Sequence, residues 1–161
     1  MSEGVRHISY SSAALLLAVA ISILSAFSVW VTIIYFYPAP ALRDFTLIDM
    51  YEMIGLLLSR SSITAEILMG VAMIIYPIGI AAALANIRYR RAFPLALVLP
   101  VVSSALWLIG VRELSTVASA YYTAVSSYGP YLMIAAAVTV AVSYYLRIKY
   151  RGSDASDNTN K

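Results

Sequence analysis

Glu66 and Arg112 are the two residues whose types and spacing could do chemistry beside the apolar stretches of this chain. They lie at nearly equal distances before and after the arginine cluster Arg88, Arg90 and Arg91, so antiparallel helices turning at that cluster would carry both to one depth. A carboxylate and a guanidinium meeting at the border of an apolar medium form an ion pair that locks two helices, or a relay for a proton or ion where water reaches them. The spacing predicts the structural pair, with Glu113 or Asp49 as alternative partners for Arg112. Tyr76 lies nearer the middle of an expected span than any other tyrosine, and its hydroxyl needs a hydrogen-bond partner there. Pro77 and Pro100 each remove a helical hydrogen bond, from the carbonyls of Met73 and Ala96 respectively. Both positions therefore predict kinks, with the freed carbonyls met by Ser or Thr hydroxyls or by neighbouring helices.

Other patterns point to packing. Ala14, Ala18, Ser22 and Ala26 recur every fourth residue, which places small side chains on one helical stripe and predicts a helix-packing face. Asp49 and Glu52 share a helical face, but two carboxylates without further oxygen ligands read as a solvated surface rather than a cation site. The chain has no cysteine and a single histidine, His7, which removes thiolate metal sites, iron–sulfur ligation and paired-histidine haem. It carries no glycine-rich phosphate loop and neither of the common hydrolase motifs, and the serines within its apolar stretches lack a nearby base. No metal, cofactor or catalytic residue is predicted. A lipid-modifying enzyme would need a polar cluster such as Asn86, Arg88, Arg90 and Arg91, and membrane anchoring already accounts for those arginines.

The elements that position these residues follow from charge patterning. The 161 residues are 61% hydrophobic and 12% charged, against about 25% charged in an average soluble domain. Four stretches, Ile8–Leu42, Ile67–Ile87, Ala92–Val111 and Leu114–Leu146, contain no charge. Each reaches the length of about 20 residues that crosses a hydrocarbon core. The expected fold is all-α, an integral membrane bundle of four transmembrane helices with short loops. The spans fall at about 8–37, 63–86, 93–111 and 130–146, in a single domain over 1–151, with a disordered polar tail at 152–161. Pro38 and Pro40 end the first span; Ser61 and Ser62 cap the second, with Glu66 in its first turn. The first apolar run is too long for the roughly 7–15-residue core of a signal peptide. Residues 41–60 mix apolar and charged side chains and predict an outer interfacial helix, and 115–128 fits a loop, a half-helix or part of span four.

Seven basic residues, Arg6, Arg88, Arg90, Arg91, Arg147, Lys149 and Arg151, then fall on one side of the bilayer, against Arg43, Arg60 and Arg112 on the other. The positive-inside rule predicts a multi-pass protein of the cell membrane with both termini cytoplasmic. Aromatic residues, Trp30 and Trp107 among them, are expected in the two interfacial belts. The net charge of +3 comes from residues flanking the spans rather than from a basic stripe, which predicts no nucleic-acid partner. The expected partners are the lipid bilayer and other membrane subunits or further copies of the chain. The expected function is that of a non-catalytic membrane subunit providing packing, anchoring or assembly contacts in a larger complex. The alternative is a small oligomeric transporter or channel, with kinked spans two and three lining a path.

Overall fold

A computed structural model describes residues 10–36, 40–50, 63–117 and 122–157. Among them are four long helices, α1 (Tyr10–Phe27), α2 (Ile63–Arg88), α3 (Phe93–Val117) and α4 (Tyr128–Asp157). Three strands, β1 (Val29–Tyr35), β2 (Ala41–Thr46) and β3 (Tyr122–Ser126), accompany them, and a short 3-10 turn over Arg90–Ala92 joins α2 to α3. Three helices, α2, α3 and α4, are long and apolar enough to cross a membrane. Their exposed faces are apolar as well, with Ile67, Ile74 and Ile78 on α2 and Leu95, Val98 and Ile109 on α3 all open to the surroundings. A helix hydrophobic on every side belongs in lipid or in the middle of a large protein. α1 is equally apolar but has only 18 residues.

Adjacent helices run antiparallel. Ser143 of α4 reaches the carbonyl of Ser11 at one end of α1, and Ser25 reaches Gly129 at the other. Gly79 packs on Pro100 and Gly110 on Ala65, so α2 and α3 also run in opposite directions. One apolar cluster, Leu15, Ala18, Val19, Ala82, Ala83, Ala96 and Val140, fills the middle of the helices, and a larger one gathers Trp30, Trp107, Tyr76 and Met133 toward the sheet.

The three-stranded antiparallel sheet, in the order β2-β1-β3, corrects the all-α expectation. The first apolar run does not continue as helix to residue 37; α1 stops at Phe27 and the chain turns into β1. The run Val29-Trp30-Val31-Thr32-Ile33-Ile34-Tyr35 is wholly β-branched or aromatic, a composition that packs well on a pleated surface, and freedom from charge does not distinguish it from helix. Residues 41–46 are strand β2 rather than the start of an interfacial helix, and helix begins only at residue 47. Thr46 caps that helix. Its N–H and hydroxyl both donate to the Asp49 carboxylate, at 2.8 and 2.7 Å, and its hydroxyl accepts from the Asp49 N–H at 3.2 Å. This is a capping box with Asp in the place of Glu. Asp49 is thereby engaged locally, which accounts for it without a cation; Glu52, the caps Ser61 and Ser62, and the rest of 51–60 lie outside the described residues. The segment 115–128 ends α3 at Val117 and supplies β3, while α4 starts at Tyr128 and runs to Asp157, past the point where a disordered tail is expected. No proline follows Pro130 to stop it.

Candidate functional site

At the sheet end, five elements meet on one indole. Ser28 closes the turn out of α1, its N–H donating to Ser25 O at 3.1 Å and its hydroxyl to Leu24 O at 2.9 Å. The β1–β2 register then slips between Val29 and Val31, a bulge that leaves Trp30 unpaired and turns both Trp30 and Val31 into the core, where neither is exposed. The Trp30 Nε1–H donates to Ser25 O at 2.6 Å, and the Trp30 carbonyl accepts from Ser127 N–H at 3.1 Å and from Trp107 Nε1–H at 3.3 Å. Tyr76 and Trp107 meet the ring edge-on, with centroids 5.5 and 5.0 Å away. Gly129 is required in the first turn of α4, because a Cβ there would fall inside the Trp30 ring. Its carbonyl accepts from Ser25 Oγ at 2.8 Å. The cluster contains no nucleophile with a base beside it, and its chemistry is that of a joint between sheet and helices. The expectation that Trp30 and Trp107 sit in interfacial belts is corrected here, since both are fully buried.

Of the residues singled out from sequence, Tyr76, Ser22 and Ala26 lie at this joint. Tyr76 donates its hydroxyl to the carbonyl of Ser22, a member of the small-residue stripe, and Ser22 Oγ donates to Ala18 O at 2.9 Å. Ala18 and Ser22 are buried and Ala14 and Ala26 half-buried, with Ala26 packed on the core at the sheet end. The kink position Pro100 is buried, whereas Pro77 is exposed. An added Cβ on Gly79 would lie 3.5 Å from Pro100 Cδ, so α2 and α3 touch there at van der Waals distance. Ser103 Oγ donates to Ala72 O at 2.9 Å, one residue before the carbonyl that Pro77 leaves without its helical partner. Ser104 Oγ lies 2.9 Å from the carbonyls of both Pro100 and Pro130.

Glu66 and Arg112 reach the same level, since Gly110 of α3 packs against Ala65 of α2. They do not share a face. At about 100° per residue, Arg112 lies about 200° round α3 from Gly110, on the side turned away from α2. It is exposed and Glu66 half-buried. Distance along the chain from the arginine turn sets a residue's depth but not its rotation about the helix axis.

The opposite end of the molecule holds a cleft of about 420 Å³ lined by Asn86, Arg91, Phe93, Pro94, Tyr144, Arg147 and Ile148. Arg147 is positioned by Nε to Ser11 Oγ at 3.4 Å and Nη1 to the Asn86 carbonyl at 3.3 Å. Phe93 and Tyr144 stack at 4.1 Å between centroids, 18° from parallel, and make one wall. Asn86 is 3% exposed, and its side-chain Oδ1 has no hydrogen-bond partner. The basic character of this end was legible in sequence, but the meeting of Asn86 with Arg147 depends on how α2 packs against α4. No grouping of His, Cys, Asp and Glu among the described residues could hold a metal ion.

No protein-family model matches the chain, and neither the curated proteins nor the solved structures compared with it contain a match.

Proposed function

We infer that the chain is a non-catalytic integral membrane subunit that crosses the cell membrane four times, with both termini cytoplasmic, and gives packing or assembly contacts to a larger membrane complex. The observation that carries this reading is the state of the interior polar groups. The hydroxyls of Ser22, Ser25, Tyr76, Ser103, Ser104 and Ser143 all bind backbone carbonyls within the helices or between them. A solute path needs polar groups that face water, whereas these are engaged with the fold and surrounded by buried Trp, Met and Ala. Such an interior fits a protein that acts through its outer surface. The fourth crossing is supported by α1 itself. Its 18 residues rise about 27 Å, close to the ~30 Å hydrocarbon thickness, and it lies alongside α4 from Ser11 to Ser25.

The test is purification from native membranes in mild detergent, mass spectrometry of co-purifying chains, and flux measurement with the isolated protein in liposomes. Stoichiometric foreign subunits and no flux are expected. A homo-oligomer with saturable flux would reject the subunit reading in favour of a transporter or channel.

A further inference from the structure

We propose that the cleft between α2, α3 and α4 at the arginine-bearing end binds the headgroup of an anionic phospholipid whose phosphodiester carries a hydroxyl or ammonium donor, phosphatidylglycerol being the simplest. The proposal rests on the reading that the helices cross a membrane, and not on the chain's being an assembly subunit. Three features of the cleft converge on this chemistry. Arg91 and Arg147 supply two guanidinium groups from different elements, and the lining contains no acidic residue. Guanidinium forks match the oxygens of a phosphate, and basic pockets between membrane helices on the cytoplasmic side are suited to lipid headgroups. The Asn86 Oδ1 atom is deeply buried beside them and lacks a donor. A buried acceptor left unmet is costly, so its place in the wall calls for a ligand that brings an O–H or N–H. An ionised phosphodiester group has none of its own, and the headgroup substituent provides it.

The third feature separates a lipid from a free phosphate ester. The remaining lining, Phe93, Pro94, Tyr144 and Ile148, is apolar or aromatic, and it continues into Leu95 and Tyr145, which are exposed on the same helices. Acyl chains attached to a phosphate between Arg91 and Arg147 would lie along that surface. The volume of about 420 Å³ is of the size of ordinary small-ligand sites, about 300–1,000 Å³.

Native mass spectrometry of the detergent-solubilised full chain, titrated with defined lipids, tests the assignment. One phosphatidylglycerol is expected to bind at least about tenfold more tightly than phosphatidylcholine, and Arg91→Gln or Arg147→Gln to remove about that factor. Arg91 is exposed, so its variant reads binding even if Arg147→Gln disturbs the fold. Arg88→Gln changes an exposed arginine outside the lining, and should leave binding unchanged. Asn86→Leu should keep binding of phosphatidylmethanol, a phosphodiester without a donor, and lose the preference of the unaltered chain for phosphatidylglycerol over it. Equal losses from Arg88→Gln and Arg91→Gln would overturn the site in favour of diffuse attraction to basic residues. Competition by soluble glycerol phosphate at the same concentration as the lipid would overturn the lipid assignment and give the cleft to a free phosphate ester. Release of the chain from membranes by alkaline carbonate would instead fail the membrane reading, independently of the binding result.

Discussion

Gly129 illustrates how a single residue type can hold a joint together. The Trp30 ring occupies the space where any side chain at 129 would begin, and the same indole is fastened to Ser25 and abuts Tyr76 and Trp107. Gly129→Ala is therefore expected to destabilise the protein by about 1–3 kcal/mol or more through overpacking, read from denaturant unfolding in micelles. Trimming Trp30 to Leu in the same chain should recover part of that loss; strictly additive losses would show that the two positions do not share the space. Glu66 and Arg112 give the opposite case. Their common depth and different faces predict a coupling energy below about 0.5 kcal/mol in a double-mutant cycle with Glu66→Gln and Arg112→Gln. A coupling of several times that size would mean that the two side chains meet directly.

Among the elements, the helix start at residue 47 responds to pH. Hydrogen bonds from the Thr46 backbone and hydroxyl hold the Asp49 carboxyl below its ordinary value of 3.8. A carboxylate with a lowered pKa contributes stability that is present above the unfolded value and lost as pH falls through the folded one. Protection of the Thr46 amide from hydrogen exchange should accordingly be constant near neutrality and fall on acidification below about pH 3.8. Asp49→Ala should abolish both the protection and its pH dependence; an unchanged profile would remove the carboxylate from the cap. The same segment shows what sequence can and cannot disclose. Charge-free runs and prolines locate α2 and α3 well, because length and apolarity are what a long buried helix requires. They misplace Val29–Tyr35, whose β-branched composition argues for strand, since a charge count does not register the difference between period and composition. The capping box at Thr46 and Asp49 is local and readable in principle. The Trp30 joint and the Asn86–Arg147 contact are not, because they join residues far apart in sequence and depend on helix rotation.

At the scale of the molecule, the four long helices among the described residues alternate in direction, with a small sheet at one end and the arginine-lined cleft at the other. Seven basic residues, Arg6 before the first apolar stretch, Arg88, Arg90 and Arg91 in the second gap, and Arg147, Lys149 and Arg151 after the last stretch, set the expected orientation, with the cleft inside and the sheet outside. α1 decides whether the chain crosses three times or four, since it is the shortest of the four long helices. The chain has no cysteine, so single introduced cysteines can report sidedness without background. Labelling of Ser2→Cys and Ala41→Cys with a membrane-impermeant maleimide, in intact and then in permeabilised cells, tests the fourth crossing most directly. Four crossings predict that position 41, exposed in β2, labels from outside while position 2 labels only after permeabilisation. Labelling of both positions from the same side would contradict the account.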